Sequence, residues 1–140
     1  MPKFKANGGE VMNRNMFATL LLSVTAIFSS AVLAHELEAE MKTLAKSTKA
    51  FATTNDIETA KKQLAIMRQA ALASKQSVPH KLETLPPENE KIIAYQAALD
   101  QLVVEIDKVT ILVNQGQLDH AKAEAMSLIK IRNESHKEFN

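Results

Sequence analysis

Leu37, Met41, Leu44, Thr48 and Phe51 recur at alternating steps of four and three, the spacing that keeps side chains on one face of an α-helix. Glu36, Glu38 and Glu40 occupy the first turns of that pattern, where the positive end of the helix macrodipole favours acids, so a first helix is predicted from about Glu36 to Thr53. Thr54-Asn55-Asp56-Ile57-Glu58 interrupts it, and Asn55 with Glu58 three residues later has the form of a capping box for a second helix. Ile57, Ala60, Leu64, Met67 and Ala71 then mark a buried face ending near Lys75. Residues 76–89 carry Pro79, Pro86 and Pro87 with little periodicity and form the one long connection.

The third segment has the most regular pattern of the chain. Ile92, Tyr95, Leu99, Leu102, Ile106, Val109 and Val113 keep a three-four alternation throughout, as a bundle seam requires. Gly116, within Asn114-Gln115-Gly116-Gln117, supplies a helix C-cap and a tight reversal. A last helix follows to about Phe139, with Leu118, Ala121, Ala125, Leu128, Arg132 and His136 expected on one face. Four amphipathic helices joined by short, long and short connections pack most simply as an all-α, antiparallel up-down-up-down four-helix bundle.

Composition narrows the chemistry. The chain has 140 residues, 46% hydrophobic and 24% charged, which fits one domain and excludes collagen-like and disordered classes. It has no cysteine, so thiol nucleophiles, Cys-based zinc and iron–sulfur sites, disulfides and covalent c-type haem attachment are all ruled out. A formal net charge of +1 gives no basic footprint for nucleic acid.

Ahead of the bundle, Lys3, Lys5 and Arg14 precede an apolar run from Met16 to Phe28 and then Ser29-Ser30-Ala31-Val32-Leu33-Ala34. That is the layout of a secretory signal peptide, and the run is well short of the roughly 20 residues needed to span a bilayer. Residues 1–34 are therefore expected to be an export signal cleaved after Ala34, whether translation starts at Met1 or Met12, leaving a bundle of residues 35–140 with no membrane segment. Removal of Lys3, Lys5, Arg14 and Glu10 turns the net charge to −1.

Met41 and His136 form the constellation with chemistry in it. In such a bundle the first and last helices are adjacent and antiparallel; Met41 stands four residues past Leu37 and His136 four short of Asn140, so both lie about 6 Å inside the same end of the bundle. A thioether and an imidazole facing each other there can serve as the two axial ligands of a haem iron, an arrangement suited to electron transfer and unsuited to oxygen activation. Each also has an ordinary structural reading, Met41 as core packing and His136 as a cation at the negative end of a helix.

Four stretches extend the pattern: Leu37-Glu38-x-x-Met41-x-Thr43-Leu44, Met67-Arg68-x-Ala70-Ala71-Leu72, Pro79-x-Lys81-Leu82-Glu83 and Arg132-Asn133-x-x-His136. In these the segment from His35 to Asn140 resembles the soluble cytochrome b562 family over its whole length. The resemblance implies a periplasmic electron-transfer protein holding one non-covalent haem b (iron protoporphyrin IX), with axial ligands falling on Met41 and His136. Met67 lies in the family's pocket and rivals Met41 on soft-ligand chemistry, but family position favours Met41. Leu37, Met67, Tyr95, Leu99 and Ile129 are expected to line the pocket, and Arg132 to pair a haem propionate or to offset the negative helix end. Two positions depart from the family pattern. Leu99 replaces an aromatic residue on the third helix, and Asn140 replaces a basic terminus.

His80 and His120 read as solvated, and His35, once at a new N-terminus, has the makings of a weak copper chelator. No Ser/His/Asp grouping, paired inward carboxylates or phosphate-binding glycine loop is present, so no enzymatic activity is expected. A monomer is expected, with redox partners that the sequence does not identify. The reading from a different class is a haem-free periplasmic helical bundle acting as a binding or stress-adaptor module.

Overall fold

The computed structural model describes residues 30–139, with side chains from Glu36 to Phe139. Most of the expected leader, the side chain of His35 and Asn140 therefore lie outside the described residues. The described chain is all-helical: α1 (Ser30–Thr53), α2 (Ile57–Ser74), α3 (Glu90–Asn114), α4 (Leu118–Glu124) and α5 (Met126–Phe139), with a short 3-10 turn at His80–Leu82. The architecture is the expected up-down-up-down bundle, with α4 and α5 together as its fourth helix.

α1 begins at Ser30 rather than near Glu36. Ser30 to Ala34 contain neither glycine nor proline, so nothing in that stretch stops the helix from running back through them. Its inward face is the one the pattern marks: Leu37, Leu44, Thr48 and Phe51 are buried and Met41 is half-buried.

The expected capping box at the start of α2 is replaced by a different cap. Asp56, not Asn55, caps the helix, its carboxylate accepting from the backbone N–H and the hydroxyl of Thr59, each at 2.7 Å. Asn55 instead accepts from Lys122 Nζ at 3.2 Å, and Glu58 pairs with Lys61 at 3.0 Å. The Thr59 hydroxyl, followed by the Thr59 N–H, holds the Asp56 carboxyl below its ordinary value. The stabilisation from this lowered pKa is complete above the unfolded value of about 3.9 and is lost as pH falls through the folded value. Acid melting curves of Asp56→Asn are expected to fall less steeply below about pH 4 than those of the parent.

α2 and α3 are tied side by side by an Arg68–Asp107 pair, at 2.8 and 3.4 Å, and by a Lys75–Asp100 contact. Tyr95, Leu99, Leu102, Ile106, Val109 and Val113 of α3 are all buried, as the three-four alternation predicts. α3 closes in a Schellman motif, with the Gln117 N–H bonded to the Leu112 carbonyl at 2.9 Å and the Gly116 N–H to Val113 at 3.0 Å. Gly116 has φ +76°, and a Cβ placed there meets nothing within 4 Å. Gly116→Ala is therefore expected to destabilise by backbone strain alone, about 1–2 kcal/mol by urea unfolding.

The expected single last helix is broken at Ala125, with no proline or glycine to explain it. The Leu128 N–H turns to the Ala125 carbonyl at 3.1 Å while the Ile129 N–H bond to the same oxygen stretches to 3.4 Å. The Ser127 hydroxyl takes the Glu124 carbonyl at 2.7 Å. A serine side chain competing for a backbone carbonyl is a known cause of helix distortion.

Buried side chains form two clusters. The larger runs from Phe51 and Leu64 through Met67, Ile106 and Val109 to Leu128. The smaller joins Leu82, Tyr95, Leu99 and Phe139 at the end of the bundle where α2 finishes and α3 begins, with Val78 and Leu85 of the long connection packed on it. That connection is long because it crosses the bundle end and caps it with apolar side chains.

Candidate functional site

α1 packs closely along α2, α2 along α3, and α3 along α4 and α5, but among the described residues no comparable packing joins α1 to α4 or α5. The seam between first and last helices is thus the loosest wall of the bundle. A cavity of about 220 Å³ opens into it, lined by Thr48, Phe51 and Ala52 from α1 and by Lys122, Ala125, Met126, Leu128 and Ile129 from the last helix and its break.

The cavity fixes which faces meet across the seam. On the last helix Lys122, Ala125 and Ile129 follow one another at steps of three and four, and the same progression continues to Arg132 and His136. On α1, Met41, Ala45, Thr48 and Ala52 form the corresponding stripe, and its last two members line the cavity. Seven residues separate Thr48 from Met41 and seven separate Ile129 from His136. Because the helices run antiparallel, two turns from the cavity, about 10 Å, bring both residues to the same height of the bundle on facing stripes.

One expectation needs correction. His136 does not belong to the buried face of the last helix: its side chain is exposed. The strict alternation through Ala121, Ala125, Leu128 and Arg132 goes on to Ser135 and Phe139, so His136 stands one residue round, on the flank toward α1. The step of four from Arg132 to His136 follows the flank toward α1, not the core.

The other expected site residues are distributed as follows. Leu37 is buried, and Met41 is half-buried against the larger cluster. Met67 is 1% exposed within that cluster, so the thioethers on the seam are Met41 and, at the cavity, the exposed Met126. Ile129 is half-buried at the cavity. Arg132 is half-buried, and its guanidinium donates to Asn133 Oδ1 at 3.1 and 3.3 Å. Tyr95 and Leu99 are buried in the smaller cluster. The Tyr95 hydroxyl donates to the Ser74 carbonyl at 2.9 Å, and burial pushes its pKa up. Sequence reasoning missed Leu82 and Phe139 as members of this cluster. Phe139 was legible as the next step of the alternation after Ser135.

His80 and His120 are exposed, with contacts to Glu83 at 3.0 Å and to Gln117 at 3.2 Å. Among the described residues no cluster of three or more His, Asp or Glu side chains suits a metal ion, and no helix is long and apolar enough to cross a membrane.

These residues fit a haem. The facing stripes bring a soft sulfur donor, Met41, and an imidazole, His136, to a common height, the donor types a haem iron takes, and Ala45, on the α1 stripe between Met41 and Thr48, adds only a methyl group to that wall. The family model of cytochrome b562 matches residues 36–140. The chain is 30% identical over 127 residues to the "Probable soluble cytochrome b562 2" of Yersinia pestis, covering 89% of this chain and 99% of that protein. It is 26% identical over 113 residues to the "Probable soluble cytochrome b562 1" of Yersinia pestis, covering 81% and 89% respectively. A match spanning residues 36–140 makes this chain a member of the cytochrome b562 family, whose members are haem-binding electron carriers and not enzymes.

Proposed function

We propose that the mature protein is a periplasmic electron carrier that holds one non-covalent b-type haem in the seam between α1 and the last helix, with Met41 and His136 as axial ligands. The observation that carries this reading is the pair of facing stripes, which extend from the cavity residues Thr48 and Ile129 to Met41 and His136 in equal steps. A sequence without cysteine agrees with non-covalent binding. The relative aligned over 127 residues matches more of this chain than the bundle alone, which supports a shared leader and export.

A bound haem supplies a one-electron couple at its iron. The protein's own part is to present donors and exclude water. The Met41 thioether would favour the reduced metal, and Met41 and His136 together would hold the group in a form suited to electron transfer rather than oxygen activation. Leu37, Met67, Tyr95 and Leu99 are buried and would keep the surroundings apolar, and Arg132, on the same flank as His136, would pair a propionate.

Titration of haemin into the apoprotein is the test. Saturation at one equivalent, with a rise in melting temperature, is the expected result. An unchanged melting temperature at any haemin concentration would overturn the reading in favour of a haem-free binding module.

A further inference from the structure

His136 lies in the last turn of its helix, and last turns are weak: the final four carbonyls have no intrahelical donor, and chain ends fray unless tied down. Phe139, three residues on, is nevertheless only 4% exposed, between a solvent-exposed Lys137-Glu138 pair and the end of the described chain. Its ring meets the edge of Tyr95, centroids 5.6 Å apart and planes at 79°, a favoured aromatic geometry. Leu82 and Leu99 complete the cluster, which is separate from the main core.

The far side of that contact is itself held. The Tyr95 hydroxyl donates to the Ser74 carbonyl, the Ser74 hydroxyl donates to the Ala70 carbonyl at 2.8 Å, and the neighbouring Gln96 amide donates to the Lys75 carbonyl at 3.1 Å. These bonds fasten the start of α3 to the end of α2. Phe139 thus grips a fixed surface, whereas the opposite end of α5 meets the break at Ala125 and one of its sides faces the loose seam with α1. Leu128 and Ile131 hold the earlier part of α5 to the larger cluster, and Phe139 is the buried side chain of its last turn.

We propose that Phe139 is a positioning residue: packed against Tyr95, it latches the last turn of α5 to α3 and so sets the direction in which His136 presents its imidazole across the seam. The proposal rests on the reading of Met41 and His136 as haem ligands. It assigns to the penultimate residue of the chain a role in ligation that touches neither the metal nor its ligand.

The test compares the haem-loaded parent with Phe139→Ala, Phe139→Leu, Phe139→Tyr and His136→Ala, reading the reduced absorption spectrum and the rate of haem loss to an excess of a haem-scavenging apoprotein. Removing groups that orient a metal ligand typically weakens the metal by about 10–100-fold. Phe139→Ala is therefore expected to lose haem at least about tenfold faster and to show a partly high-spin spectrum that millimolar imidazole returns to low-spin. Phe139→Tyr, which keeps the ring, is expected to restore parental behaviour. If Phe139→Ala does not fold, Phe139→Leu decides, with faster haem loss at full apoprotein helicity as the expected result. Parental spectra and parental haem loss in Phe139→Ala, or in Phe139→Leu where the alanine variant is unfolded, overturn the latch. If His136→Ala in the same series abolishes the low-spin form, only the latch has failed; if it leaves the spectrum unchanged, the ligand assignment has failed.

Discussion

His136→Ala is expected to abolish the six-coordinate low-spin spectrum and to weaken haem binding by at least about a hundredfold, the upper end of what orienting groups alone contribute. The helical content of the apoprotein should hardly change, because the His136 side chain is exposed and is not part of either buried cluster. Those two readouts separate a ligand from a packing residue. Met67→Ala is the matching control. Met67 is enclosed in the larger cluster, so its loss should lower the melting temperature and leave the low-spin spectrum in place. If Met67→Ala abolished low-spin character while Met41→Ala spared it, the thioether assignment would be reversed.

Leu64→Ala is expected to produce the largest loss of stability at any position remote from the seam. Leu64 is 0% exposed and sits in the larger cluster with Phe51, Ile106 and Val109. Leucine-to-alanine changes at such sites destabilise by about 2–5 kcal/mol, the spread reflecting how far the surroundings collapse into the void. Domains of this size are stable by only about 5–15 kcal/mol, so the change removes a large fraction of the total. Urea unfolding should show a lower midpoint with an unchanged slope, since the surface exposed on unfolding is nearly the same. A loss below about 0.5 kcal/mol, the range of surface substitutions, would show that the two middle helices do not form the packed centre of the bundle.

The bundle was legible because burial imposes a period on sequence. The α3 alternation from Ile92 to Val113 and the α1 alternation from Leu37 to Phe51 correspond to the faces that are buried or half-buried. Local competition between polar groups was less legible. Asn55 and Asp56 are both good helix caps, and which one serves depends on Lys122, sixty-seven positions away, drawing Asn55 outward. The break at Ala125 leaves no mark in the hydrophobic pattern, because a serine hydroxyl bonding to the Glu124 carbonyl causes it.

The seam was half legible. The candidates Met41 and His136 could be named by counting from the helix ends, but the alternation of the last helix, continued by four from Arg132, placed His136 on the core face. It is the cavity lining that reveals two different stripes on the last helix, one through Ser135 and Phe139 into the core and one through Arg132 and His136 toward α1. A sequence pattern reports only which residues are apolar. An exposed imidazole such as that of His136 is polar, and so falls outside that signal.

The most direct measurement is the visible absorption spectrum of the haem-supplied protein in its oxidised and dithionite-reduced forms. The sharp reduced spectrum of a six-coordinate low-spin b-type haem is the expected result. The broad spectrum of free or loosely adsorbed haem would contradict it and return Met41 and His136 to the status of ordinary residues of a helical bundle.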